Sequence, residues 1–190
     1  MKRGCAVDFL HLHTWPENRA VLGTKIERLV RILRNYSPAP LKLICAPYSE
    51  FYKKTMSIDS RAELVLFRRF LFHLSNALSE KRGYQAVISG DSVGQVASQT
   101  IDNIFASDEA SKIPVFRPLV GFNKQEIIDL AVKIGTYESS IEPYKDCCSL
   151  VAQKNPSTKV QLEKALRIER EMDIPAIVEK TLEQSEVFEI

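Results

Sequence analysis

Short apolar runs alternate along this chain with longer stretches whose apolar residues keep a helical period. The runs are Ala6 to His13, Leu41 to Ala46, Tyr84 to Ile88 and Val115 to Val120, each bounded by turn-forming or polar residues. Runs of that length read as buried strands. Between the first two, a helix is predicted over about Arg19 to Tyr36, with Leu22, Ile26, Leu29, Val30 and Leu33 at helical spacing and Pro38 and Pro40 as its stop. A longer helix follows Leu41 to Ala46: Leu64, Phe67, Leu71, Leu74 and Leu78 form one stripe, and Gly83 is placed to end it. Strands that alternate with helices pack as a parallel sheet with helices on both faces. The chain is therefore predicted to be an α/β protein of one domain.

The rest of the pattern fits that scheme less simply. Asn123-Lys124-Gln125-Glu126 reads as a capping-box start and Gly135 as the end of the same helix. Pro156 is expected to open a charged helix to about Asp173, and Pro175 another. Val187 to Ile190 is expected to be a short extended tail.

Bulk properties narrow the function classes. The 190 residues are 45% hydrophobic and 26% charged, as in an ordinary soluble core-forming domain. Basic residues outnumber acidic ones only 26 to 24, so any nucleic-acid contact must come from a local patch. No apolar run approaches the ~18 residues needed to cross a bilayer, and the start has no signal-peptide pattern, so a cytoplasmic protein without membrane contact is expected.

Ligands of open parallel sheets bind beyond the carboxyl ends of the strands. Three segments fall there: His11 to Trp15, Pro47 to Lys53 and Ser89 to Gly94. In the third, a strand running through Gly90 into a helix would leave backbone N–H groups for an anion, and Gly90 would admit a ligand close to the backbone. A plain strand-to-helix turn is the alternative. Of the consecutive Arg68 and Arg69, one must lie near the apolar stripe and needs an anionic partner; a snorkelling arginine is the bland reading. His11 and His13 face opposite sides of a strand, and Cys147-Cys148 lacks the spacing of a zinc site, so no metal site is expected. The cysteine pair is either reactive or two buried structural thiols.

Several ordered motifs then resemble one family. Ser89-Gly90-Asp91-Ser92-Val93-Gly94-Gln95-Val96-Ala97-Ser98-Gln99-Thr100 is similar to the GESLGQVASQT signature of ThiI-type tRNA sulfurtransferases, the 4-thiouridine synthetases. Arg117 to Val120, Lys124 to Ile128, Ile134 to Tyr137, Tyr144 to Cys148 and the closing Glu186 to Ile190 resemble further family segments, so the likeness spans nearly the whole chain.

The resemblance implies a Rossmann-like adenine-nucleotide-hydrolase (HUP) fold and a two-stage reaction. ATP, with Mg2+ expected beside it, adenylates a tRNA uridine near position 8, and persulfide sulfur then displaces AMP. It implies ATP or AMP contacts from His11, Leu12, Arg68, Gly90 and Gln99. It implies a sulfur-handling role for Cys148 or Cys147, with Cys148 the slightly better match. The implied partners are tRNA and a persulfide donor such as a cysteine desulfurase; sulfur transfer for thiamine biosynthesis is left open. The family's Ser-Gly-Gly-x-Asp-Ser pyrophosphate loop and its THUMP and rhodanese domains do not occur within these residues. The chain is therefore expected to be a partial catalytic domain, truncated at its amino terminus and inclined to self-associate. A noncatalytic nucleotide- or RNA-binding remnant is the alternative.

Overall fold

The computed structural model describes residues 1, 3–56, 58–147, 151 and 156–190. The chain divides into two units: residues 1–49, 125–147 and 181–190 form the first, and 50–124 with 148–180 the second.

The first unit is built on three strands in the order β1-β2-β5, where β1 is Phe9–His13, β2 is Lys42–Pro47 and β5 is Glu186–Glu189. β1 and β2 run parallel, with His11 opposite Cys45 and Leu12 opposite Ala46. β5 pairs antiparallel to β2, placing Phe188 opposite Leu43. The expected parallel pairing holds for β1 with β2, and the tail, for which no pairing was expected, adds an antiparallel strand that makes this sheet mixed. The tail joins it because Phe188 and Ile190 bury apolar surface against Val21, Val30, Leu41, Leu43 and Cys45. Burial of this kind, about 25 cal/mol per Å2, outweighs any preference for strand direction.

The helix expected over Arg19 to Tyr36 is two pieces. A 3-10 turn spans Asn18–Val21, and α1 spans Lys25–Arg34. Gly23 separates them at φ +82°, a conformation most side chains resist. Thr24 caps α1 by accepting from the Ile26 N–H, and Glu27 reaches back to accept from the Gly23 N–H at 2.5 Å. Two otherwise orphaned donors are satisfied, which fixes the helix start six residues later than the apolar pattern suggested. α5 (Lys124–Lys133) and the short α6 (Tyr137–Ser140) are further helices of this part of the chain, with Gly135 in the left-handed region between them.

In the second unit α2 (Ser49–Thr55) is followed by α3 (Glu63–Arg82), ended by Gly83 at φ +75° as the sequence predicts. α3 is buried on more than one face: Val65, Leu66, Phe70 and Phe72 are enclosed along with Phe67, Leu74 and Leu78, while Leu64 and Leu71 of the expected stripe are only half-buried. Phe51 stacks on Phe70 with ring centroids 4.8 Å apart and meets the edge of Phe67 at 5.7 Å. β3 (Val87–Ile88) and β4 (Val115–Phe116) form a parallel pair, and α4 (Ile101–Asp108) lies between them in sequence. α7 is Leu162–Met172 and α8 is Ile174–Glu183. The expected helix start at Pro156 is not observed; the chain from Ser157 to Gln161 is non-helical, held by the Ser157 N–H on the Arg61 carbonyl and the Val160 N–H on Asn103 Oδ1. No helix among the described residues is long and apolar enough to cross a membrane.

Candidate nucleotide and sulfur site

α3 carries the two consecutive arginines, and they have separate jobs. Arg69 is 1% exposed and is engaged by protein alone. Its Nε and Nη2 donate to the two oxygens of Glu169 at 2.8 and 2.7 Å, Nη2 also to Glu109 at 2.9 Å, and Nη1 to the Ala106 carbonyl. A bidentate pair of this geometry satisfies a buried guanidinium without a ligand. Arg68 is different. It donates from Nη2 to Asp91 Oδ2 at 2.5 Å, while its Nε is buried with no hydrogen-bond partner among the described residues. An unused buried donor on a cation is costly unless an acceptor fills the position.

Asp91 is the hub of this part of the second unit. It follows β3 in the segment Ser89-Gly90-Asp91 and its side chain is 3% exposed. Besides Arg68 it accepts from Arg117 Nε at 3.0 Å, Ser89 Oγ at 2.8 Å and Gln99 Nε2 at 3.3 Å. Arg117, just past β4, turns its two terminal nitrogens onto Asp108 at the end of α4. Burial pushes the Asp91 carboxyl up, but the hydrogen bond and charge of Arg68, with Ser89 and Arg117, carry it below the usual carboxylate range. It stays an anion and holds both arginines.

The turn after β3 differs from the expected strand-to-helix junction. α4 begins only at Ile101, so no helix N-terminus opens at Gly90. Loop amides are instead used internally: the Val93 N–H bonds the Val120 carbonyl and the Gly94 N–H the Gln99 carbonyl. Gly90 itself stands clear. A Cβ built there meets nothing within 4 Å, so the space beside it is open on the protein side.

In the first unit His11 and Leu12 occupy the end of β1, as expected. His11 Nε2 lies 2.9 Å from the Tyr144 hydroxyl, and the two ring centroids are 5.7 Å apart. Burial, with help from His13 and against Asp146, lowers the His11 pKa to about 4, so the ring is neutral at physiological pH. His13 is also enclosed; its Nδ1 accepts from the Trp15 N–H, which leaves Nε2 to donate to Asn18 Oδ1 at 2.8 Å. Lys25 Nζ sits 5.8 Å from the Tyr144 ring centre. Cys147 is buried at 3% exposure, three residues beyond Tyr144, whereas Cys148 lies outside the described residues. Cys45 is fully buried in β2, and burial with the nearby Glu186 charge pushes its thiol up to about 12, so it is inert. Cys5 is exposed.

Arg68, Gly90 and Gln99 are thus brought together around Asp91, and His11 is joined through Tyr144 to the segment that carries the cysteines. Asp91, Arg117, Asp108 and Tyr144 were not singled out from sequence, although all but Asp108 lie inside motifs that were. The family model described as thiamine biosynthesis protein (ThiI) matches residues 1–174. The chain belongs to the ThiI family. A probable tRNA sulfurtransferase of Caldanaerobacter subterraneus subsp. tengcongensis is 38% identical over 194 residues, covering all of this chain and 50% of that protein. One from Clostridium perfringens is 36% identical over 188 residues, covering 98% of this chain and 49% of its own length. The crystal structure of a 4-thiouridine synthetase–RNA complex with bound ATP matches at a TM-score of 0.90 and 32% identity, again over the whole chain and 50% of the other. This ThiI-family chain therefore spans about half the length of the curated relatives it matches.

Proposed function

We propose that the chain is the nucleotide- and sulfur-handling part of a tRNA sulfurtransferase that makes 4-thiouridine. The observation that carries this reading is the convergence of Arg68 and Gln99 on Asp91 beside the open backbone of Gly90. A guanidinium with a buried donor to spare, a carboxamide and an unobstructed glycine suit the phosphate and sugar edge of an adenine nucleotide. Within the first unit, His11 and Leu12 are the further nucleotide-contacting residues of this reading, through the backbone near the end of β1, where neutral His11 adds no charge.

In this reading uridine O4 attacks the α-phosphorus of ATP and pyrophosphate leaves. The terminal sulfur of a cysteine persulfide then attacks C4, and AMP departs with the O4 oxygen. A second thiol breaks the remaining S–S bond, forming a disulfide and leaving sulfur on the base. Cys147 or Cys148 receives the persulfide sulfur or resolves it. Mg2+ enters with the ATP phosphates; Asp91 already accepts from four side chains and serves the arginines, not the cation. tRNA, a cysteine-desulfurase-type persulfide donor and a second copy of the chain are the implied partners.

The test is incubation with unmodified tRNA, ATP, Mg2+ and a persulfide donor, followed by mass spectrometry of the digested RNA. Thiolated uridine, formed with matching AMP release and lost in Arg68→Ala, is the expected result. Sulfur incorporation that does not require ATP would overturn the reading.

A further inference from the structure

Arg117 donates three hydrogen bonds beside the proposed nucleotide contacts, yet nothing in the reading above uses it. Its three nitrogens all have carboxylate partners: Nε on Asp91, and the two terminal nitrogens on Asp108. Its side chain is 10% exposed. A guanidinium so occupied has little left for a ligand. It does determine where Asp91 sits, because it ties that carboxylate to the end of α4. Asp91 in turn fixes one nitrogen of Arg68 and the amide of Gln99.

We infer that Asp91 and Arg117 are positioning residues for nucleotide binding: Arg117 clamps Asp91 between β3 and α4, and Asp91 presents Arg68 and Gln99 to the nucleotide phosphate and sugar. The inference rests on the nucleotide reading of Arg68 and Gln99. The charges make the arrangement specific. Two arginines and two aspartates balance within the cluster, so Arg68 needs only one carboxylate oxygen and its Nε remains available. Without Arg117, Asp91 would turn both oxygens to Arg68 in the two-pronged geometry that an isolated carboxylate and guanidinium prefer, and the available donor would be consumed. The cluster therefore keeps an arginine ready for an anion by giving its neighbouring carboxylate a second cation.

A support role and a purely structural role differ in how losses combine. Titration calorimetry of the whole chain with AMP, on Arg68→Ala, Arg117→Gln and the double variant, separates them. Each single change is expected to weaken AMP binding about tenfold, and the double change no more than about threefold beyond Arg68→Ala alone. Asp91→Asn should weaken binding as Arg117→Gln does, and Asp91→Glu, which keeps the charge, should recover most of that loss. The Asp91 pair also reads the link should Arg117→Gln fail to fold. Unchanged AMP affinity in folded Arg117→Gln, or losses that multiply in the double variant, would overturn the inference. An Arg68→Ala chain that binds AMP like the unmodified chain would instead overturn the nucleotide reading beneath it.

Discussion

Replacing each of the two consecutive arginines by methionine should have opposite consequences. Arg69 is enclosed, and its removal leaves Glu169 buried with His73 Nε2, at 3.1 Å, as its one remaining partner among the described residues. Breaking a buried ion pair by deleting one member costs about 3 to 5 kcal/mol, because the surviving charge is uncompensated. Four hydrogen bonds from one guanidinium, to three residues on α7, α4 and the C-cap of α4, put Arg69→Met inside that range. Arg68→Met leaves Asp91 with Arg117, Ser89 and Gln99, so no charge is orphaned and the expected loss is about 1 to 2 kcal/mol. Urea unfolding of both variants, followed by far-ultraviolet circular dichroism, gives the two numbers directly. In melting temperature, Arg69→Met should fall by roughly 6 to 12 °C for a chain of this size. Arg69→Met losing under about 1 kcal/mol, or Arg68→Met losing as much as Arg69→Met, would refute the division of labour.

Gly90→Val should leave the melting temperature within about 2 °C, since its added atoms meet open space, while AMP affinity falls at least about tenfold; calorimetry and thermal melts read both. Acid should expose His11: its depressed pKa means stability held in full above the unfolded value near 6.5 and lost as pH falls towards about 4, roughly 2 kcal/mol between pH 7.5 and pH 5. Urea midpoints at the two pH values should show that loss in the unmodified chain and much less of it in His11→Gln. Alkylation of the native protein should label Cys5 fast and Cys45 last, because Cys5 is exposed and Cys45 is buried with a raised pKa. In a Cys5→Ser background any rapid adduct should map to Cys148 ahead of buried Cys147, read by peptide mass spectrometry.

The alternation of apolar runs and helical periods placed β1 to β4 and α3 correctly, because burial enforces both patterns locally. The start of α1 was legible too, in Thr24-Lys25-Ile26-Glu27, but the apolar positions Leu22 and Ile26 drew the predicted helix across Gly23. The antiparallel β5 was not legible: Glu186 to Glu189 says that the tail is extended and nothing about which strand it meets. At the candidate site, the need for an anionic partner was read from Arg68-Arg69, yet the sequence could not divide the pair. That division depends on Glu169 and Asp91, 100 and 23 residues away along the chain. Arg117 had a family motif around it and no local signal, since its role exists only once β4 lies beside β3.

The most direct measurement of the central claim is photolabelling with an azido-adenine nucleotide and mapping of the adducts. Competition by ATP, with adducts confined to the peptides around His11 to Trp15 and Ser89 to Gln99, is the predicted result. Adducts elsewhere, or labelling that ATP does not reduce, would contradict it.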